Sequence, residues 1–284
     1  MDSAQGLWKY GANFRREEGV GMTAGESLFL GFVQGLTEFL PVSSSGHLVL
    51  FQKIFGITEG ALIFDVIVHV ATAAVLLVIF RRDIWTMIRH PFSRLTLLVV
   101  VGTIPTGMIG FYFEDAFEEM FGSGKTLGVE FFFTGLVLWW AETVKEHDKD
   151  ESHMGYLDAL FIGVLQGVAI IPAVSRSGMT IAGALMRGLN RDFAARFSFL
   201  LSIPAILGAA AVKTRPLIAM VNSGTGVGIT ELALGAVAAA MSGYLAVRFM
   251  LWVIREKSLR GFAWYVWALG VLIISDQVVF HRFF

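Results

Sequence analysis

Two polar interruptions, nearly alike and 132 residues apart, break otherwise membrane-grade sequence and dictate what this chain can fold into. The first carries Gly31, Gln34, Gly35, Glu38, Pro41, Ser43, Ser44, Ser45, Gly46 and His47. The second carries Gly163, Gln166, Gly167, Pro172, Ser175, Arg176, Ser177 and Gly178. Seven aligned positions are identical: Gly31/Gly163, Gln34/Gln166, Gly35/Gly167, Val42/Val174, Ser43/Ser175, Ser45/Ser177 and Gly46/Gly178. A fold built on this repeat brings the two interruptions together as halves of one site.

Composition sets the solvent. Of 284 residues, 55% are apolar and only 16% charged, against about 25% charged in a soluble domain. The chain belongs in a bilayer. A net charge of −1 argues against nucleic acid as a partner. With no cysteine, disulfides, Cys-ligated zinc and thiol nucleophiles are excluded, and chemistry falls to Ser, His, carboxylates and Arg.

Residues 1–24 read as a polar N-terminal extension. The apolar stretch 26–55 is cut by Pro41 and the serine run into pieces shorter than the ~20 residues that span a bilayer. That pattern predicts a re-entrant helix hairpin, tolerated where the turn lines a protein cavity. Full spans are expected at 61–80, 95–113 and 126–142, completing a first repeat over 25–145. A charged cytoplasmic linker, 146–154, leads to a second repeat over 155–284, with a hairpin at 155–188 and spans at 193–212, 229–250 and 261–280. The expected fold is therefore an all-α polytopic membrane protein of two such repeats.

Lys and Arg near the span ends orient it. One arrangement gathers Arg81, Arg82, Arg89, Arg94, Lys145, Lys149, Arg187, Arg191, Arg196, Arg255, Lys257 and Arg260 on the cytoplasmic side. Lys53, Lys125, Lys213, Arg215 and Arg282 then lie outside, with the acidic loop of Glu114, Asp115, Glu118 and Glu119. Three crossings separate the hairpins, so the repeats are expected to be inverted in topology and to share a site at the midplane.

Gln34 and Glu38, four residues apart, share a helix face. Ser43 to Ser45 fall where the next helix takes its N-cap, and His47 falls in its first turn. Ser175 and Ser177 occupy the equivalent cap, with Thr180 one turn in. Two helix N-termini, each carrying about half a positive charge, make a receptacle for an anion. Arg176, aligned with Ser44, adds a guanidinium that costs at least ~2.5 kcal/mol at bilayer depth and suits phosphate oxygens. A hydroxyl, a His, an anion clamp and a carboxylate able to hold a divalent metal are the parts of phosphoryl hydrolysis.

The run from Gln34 through Glu38, Pro41 and the three serines to His47, and the run Pro172-Ala173-Val174-Ser175-Arg176-Ser177-Gly178 with Thr180, resemble the two signature motifs of the undecaprenyl-diphosphate phosphatase family, the bacitracin-resistance type. Two positions depart from the pattern: Ala173 stands where the family usually has Gly, and Gln34 where it often has Glu. The resemblance implies a membrane enzyme that hydrolyses a polyprenyl diphosphate to the monophosphate and inorganic phosphate. It would recycle the carrier lipid of cell-wall peptidoglycan synthesis in the cytoplasmic membrane, its site opening to the outer face. Ser44, His47, Glu38 and Arg176 are then the catalytic candidates, Ser44 as nucleophile with His47 as its base, or His47 as nucleophile itself. Ser43, Ser45, Ser175, Ser177, Thr180 and Gln34 would bind substrate. Glu38, helped by Gln34, would hold Mg²⁺ or Ca²⁺. Expected partners are the polyprenyl diphosphate, membrane lipids and a second copy of the chain in a homodimer. The rival reading from another class is a secondary transporter or polyprenyl-phosphate flippase using the same anion site.

Other polar residues receive plainer readings. Asp65 and His69, four apart, are expected to form a polar helix end, with support of the site as the alternative. Glu130, near Lys125, is expected at the interface. The aromatic residues of 131–140 and 262–267 are assigned to packing and lipid contact.

Overall fold

The computed structural model describes residues 21–57, 60–144, 148–223 and 227–284, the side chains of 214–223 excepted. The extension as far as residue 20, Lys145 and the side chain of Arg215 lie outside the described residues. Within them the chain is all-helical, without a strand. Five helices are long and apolar enough to cross a membrane.

Helix α1 (Ala24–Phe39) starts on a capping box: Thr23 Oγ1 accepts from Glu26 N at 3.3 Å, and Thr23 N donates to Glu26 Oε2 at 2.8 Å. It stops at Leu40, held extended (ψ 148°) by the proline that follows. Helix α2 (Ser44–Phe55) is capped by Ser43, whose Oγ accepts from Gly46 N at 3.3 Å, and closes on Gly56 in the left-handed region. The first broken stretch is thus two helices joined by a four-residue turn. The second repeats it, with α8 (Tyr156–Val168) and α9 (Arg176–Met186), the latter capped by Ser175.

Between and after them run α3 (Ala61–Ile79), α5 (Arg94–Tyr112), α7 (Leu127–Ala141), α10 (Arg191–Ser223), α11 (Ile229–Glu256) and α12 (Arg260–Ser275). Helices occupy the six stretches expected to span, with shifted ends: α10 and α11 run past 212 and 250, while α7, only 15 residues long, is not among the five long enough to cross. Two loops expected to be plain connections form helices of their own, α4 (Arg81–Arg89) and α6 (Glu114–Ser123). Neither has a buried residue, so no apolar stripe long enough to read as a span marks them in the sequence.

The broken stretches dock on helices of the other half. Helix α1 lies along α11, and α8 along α5. Glycine makes both contacts close: a Cβ at Gly31 would stand 2.3 Å from Gly235 O, and one at Gly163 only 2.0 Å from Gly102 O. Any larger residue at either position forces the helices apart.

Polar contacts tie the helix ends into two groups. In one, Arg187 Nε reaches Asp158 Oδ1 at 2.7 Å, Lys149 joins the same carboxylate, Arg191 pairs with Glu142, Arg255 with Asp192, and Arg196 with Asp83. In the other, Lys213 Nζ reaches Glu114 Oε1 at 2.7 Å, Gln277 donates to Gly124 O, and Lys53 lies over the Phe284 ring. Five of the residues expected on the cytoplasmic side, Lys149, Arg187, Arg191, Arg196 and Arg255, fall in the first group; Arg94 donates to the Met154 carbonyl and Arg260 lies over the Trp139 ring.

Candidate active site

The two turns meet in reciprocal hydrogen bonds. Ser45 Oγ donates to the Pro172 carbonyl, and Ser177 Oγ donates to the Leu40 carbonyl at 2.8 Å. Donors and acceptors alike are related by the 132-residue repeat. Ser43 Oγ adds a second bond to Pro172 O at 2.7 Å and lies 3.2 Å from Ser45 Oγ, as Ser175 Oγ lies 3.3 Å from Ser177 Oγ. The Pro172 carbonyl is thereby satisfied away from water, where an unpaired one would cost about 1–3 kcal/mol, and the Leu40 carbonyl gains a donor beside Val42 N. Gly46 packs face to face with Ala173: a Cβ there would lie 3.0 Å from both Ala173 Cα and Cβ. The methyl of Ala173 is accommodated because its neighbour has none.

With those four serines holding the crossing, the two remaining aligned residues, Ser44 and Arg176, converge on Glu38. Ser44 Oγ donates to Glu38 Oε2 and Arg176 Nη2 to Glu38 Oε1. Gln34 Nε2 donates to Oε2 at 2.9 Å. The Glu38 side chain is 4% exposed and that of Arg176 17%. The second guanidinium terminus, Arg176 Nη1, is buried with no partner, as is Gln34 Oε1. A guanidinium with one arm on a carboxylate and one arm free is ready for a second anion.

The other expected site residues sort differently. His47 Nδ1 donates to Ser43 O at 2.6 Å, which leaves Nε2 as the acceptor facing Tyr265 Oη at 2.8 Å. The ring stacks parallel to that of Tyr265 and edge-on to Phe131. His47 is therefore one turn from Ser44 but bonded elsewhere, and the Ser44 proton points at Glu38. Thr180 Oγ1 donates to Arg176 O at 2.9 Å and meets Ser198 Oγ at 2.5 Å, which fastens α9 to α10.

Five residues given plainer readings in the sequence, or none, pack against the site. His69 is part of the cluster, with Nε2 3.5 Å from Glu38 Oε2 and Nδ1 donating to the Asp65 carbonyl at 2.7 Å. Asp65 in turn accepts from Gln52 Nε2 at 2.7 Å. The pair is site structure, and the expectation of a polar helix end is corrected. Glu130 is not interfacial: it is 7% exposed and accepts from Ala173 N. Thr134 and Tyr265 lay unseen in aromatic runs. The one available signal was the four-residue spacing of Asp65 with His69 and of Glu130 with Thr134, which puts each pair on one face.

A resident divalent ion would need free donors around Glu38. Both Glu38 oxygens are already engaged, one by a guanidinium, and Gln34 Oε1 is unpaired. Among the described residues no three His, Cys, Asp or Glu side chains gather to hold a metal. Mg²⁺ takes most of its six oxygens from water and substrate phosphates, with one or two carboxylates from protein, and here the one carboxylate is already bonded to Arg176 and Ser44. These residues do not fit a preformed metal site.

Apolar helices long enough to cross a bilayer, packed around a buried hydroxyl, carboxylate and half-free guanidinium, fit a multi-pass membrane protein. The chain belongs to the family described as bacitracin resistance protein BacA, whose model matches residues 27–272. Undecaprenyl-diphosphatase of Carboxydothermus hydrogenoformans is 54% identical over 256 residues, 90% of this chain and 98% of that protein. Undecaprenyl-diphosphatase of Halothermothrix orenii is 44% identical over 260 residues, 89% of this chain and 98% of that protein. Undecaprenyl-diphosphatase 4 of Bacillus thuringiensis is 43% identical over 252 residues, 89% of this chain and 96% of that protein.

Proposed function

We propose that the protein is a membrane phosphatase that hydrolyses undecaprenyl diphosphate to the monophosphate and inorganic phosphate, with Ser44, Glu38 and Arg176 at its centre. The observation that carries the reading is the free arm of Arg176 beside the Ser44 hydroxyl, on a carboxylate already bonded to both. The terminal phosphoryl group takes Arg176, adding its free Nη1 to the contact. Ser44 Oγ attacks phosphorus, the bridging P–O bond breaks, and undecaprenyl monophosphate leaves with the bridging oxygen. The Ser44 proton passes to Glu38, its hydrogen-bond acceptor and the base that replaces His47 in this assignment. Water then cleaves the phosphoserine, releasing phosphate and restoring the Ser44 hydroxyl.

Mg²⁺ or Ca²⁺, if the reaction uses one, would come with the substrate rather than reside on Glu38 and Gln34, and would offset part of the phosphate charge. A chelator then slows turnover and either ion restores it, while the free protein binds neither tightly in calorimetry.

The same reading makes the two halves, 25–145 and 155–284, inverted repeats with re-entrant hairpins. Three features support it: reciprocal Ser45 and Ser177 bonds, docking of α1 and α8 on the opposite halves, and the open ends of the two hairpins. Lys53 of the first hairpin belongs to one group of end contacts, Asp158 and Arg187 of the second to the other. The basic group faces the cytoplasm, so the site opens to the outer face of the cytoplasmic membrane. Labelling of single cysteines placed in loops 81–94 and 114–124 tests the orientation, because only the second is expected to react from outside.

Purified protein in detergent is expected to release phosphate from undecaprenyl diphosphate in the presence of Mg²⁺ or Ca²⁺. No release would overturn the hydrolase and favour transport of the lipid phosphate. A trapped phosphoryl adduct that survives acid and maps to Ser44 supports the serine route, whereas an acid-labile adduct at His47 replaces it.

A further inference from the structure

The second turn is gripped by a helix that the catalytic assignment leaves unused. Glu130 and Thr134 lie one turn apart on α7 and take the backbone polar groups of Ala173 and Ser175 in succession. Glu130 Oε2 accepts from Ala173 N at 3.1 Å, Thr134 Oγ1 donates to Ala173 O at 3.0 Å, and the same hydroxyl accepts from Ser175 N at 3.1 Å. Thr134 is 1% exposed, so its bonds meet no competition from water. The residue after Ser175 is Arg176. The corresponding positions on α12, 132 residues on, are Phe262 and Val266, which offer the first turn nothing polar.

We propose that Glu130 and Thr134 are positioning residues for Arg176, fixing the turn from which its guanidinium reaches the phosphoryl group. The proposal rests on Arg176 as the phosphate clamp. Preorganised donors stabilise a developing charge only if they stand where it forms, and a displacement of about 1 Å lowers rate as much as ~10²-fold. Thr134→Val keeps the shape of the side chain and removes both hydrogen bonds, leaving Ser175 N without its acceptor.

A double-mutant cycle on phosphate release tests this. Thr134→Val is expected to lower kcat/KM roughly tenfold in the wild-type background and less than about twofold when Arg176 is already Ala, because a misplaced guanidinium has nothing left to misplace. Thr134→Ser, which keeps the hydroxyl, should recover most of the loss. Glu130→Gln keeps an acceptor for Ala173 N and should show the same dependence on Arg176 with a smaller effect, so it carries the cycle should Thr134→Val fail to accumulate. Losses that multiply in the double variant, or a Thr134→Val enzyme of normal rate, overturn the positioning role. An Arg176→Ala enzyme of normal rate refutes the clamp itself, a distinct result.

Discussion

The two turns share a sequence pattern and differ in how they are held. Ser43, the cap of α2, has φ 66°, a left-handed conformation rare for a residue with a side chain, whereas its counterpart Ser175 has φ −71°. Such strain costs of the order of 1–3 kcal/mol and persists only where surrounding contacts impose it. For the first turn those contacts come from the second turn, through Pro172 O, and from His47. The second turn has α7 as well. Polar groups divide the same way, since the first half holds Ser44, Glu38, His47 and His69, and the positions aligned with the last three are Ile170, Met179 and Leu201. Only Arg176 crosses over. In the proposed mechanism the strained half carries the reacting groups, Ser44 and Glu38, and the clasped half presents one cation to them.

That division is exposed most sharply by Glu38, the acceptor common to both halves. Glu38→Ala should lower phosphate release at least ~10²-fold and, by leaving Arg176 as an uncompensated buried charge, destabilise the fold by about 3–5 kcal/mol. A variant with normal melting behaviour would show that Arg176 does not depend on this pairing. Next in size is a matched pair of glycines. Gly46→Ala drives a methyl to 2.7 Å from Phe131 and 3.0 Å from Ala173, whereas Gly178→Ala meets Ser175 at 3.1 Å and Leu138 at 3.4 Å. The first should lose about 1–3 kcal/mol in detergent melting and the second less. The reverse order would mean that the turns do not cross where Gly46 meets Ala173. The smallest effect concerns the reciprocal bonds. Ser45→Ala and Ser177→Ala should each lose about 1 kcal/mol, and by similar amounts. Unequal losses would reveal that the crossing leans on one turn.

Much of this organisation was legible because it rests on spacing. Pro41 and Pro172 stop helices whatever surrounds them, and the serines after each restart one, so both broken stretches followed from local rules. The meeting of Arg176 with Glu38 followed less directly, from the charge of a guanidinium that no apolar surrounding would tolerate alone. What stayed hidden depends on rotation of distant helices. The hydroxyl of Thr134 reads as one more residue of an aromatic span until α7 is turned toward Ala173. Tyr265 becomes a partner of His47 only when α12 places it there. The bond of His47 to Tyr265 was hidden for a related reason: being near Ser44 in sequence does not decide which way an imidazole faces. Helices α4 and α6 escaped because nothing buried marks them.

The central claim is that one phosphoryl group is worked on from both halves at once, and phosphate release by Arg176→Ala and Arg176→Lys tests it most directly. The account predicts that Arg176→Ala releases phosphate from undecaprenyl diphosphate at least ~10²-fold more slowly than the wild type, and that the Lys variant recovers little because a point charge does not replace the planar fork. Turnover near the wild-type rate in Arg176→Ala would contradict it, leaving the first half to do the chemistry alone.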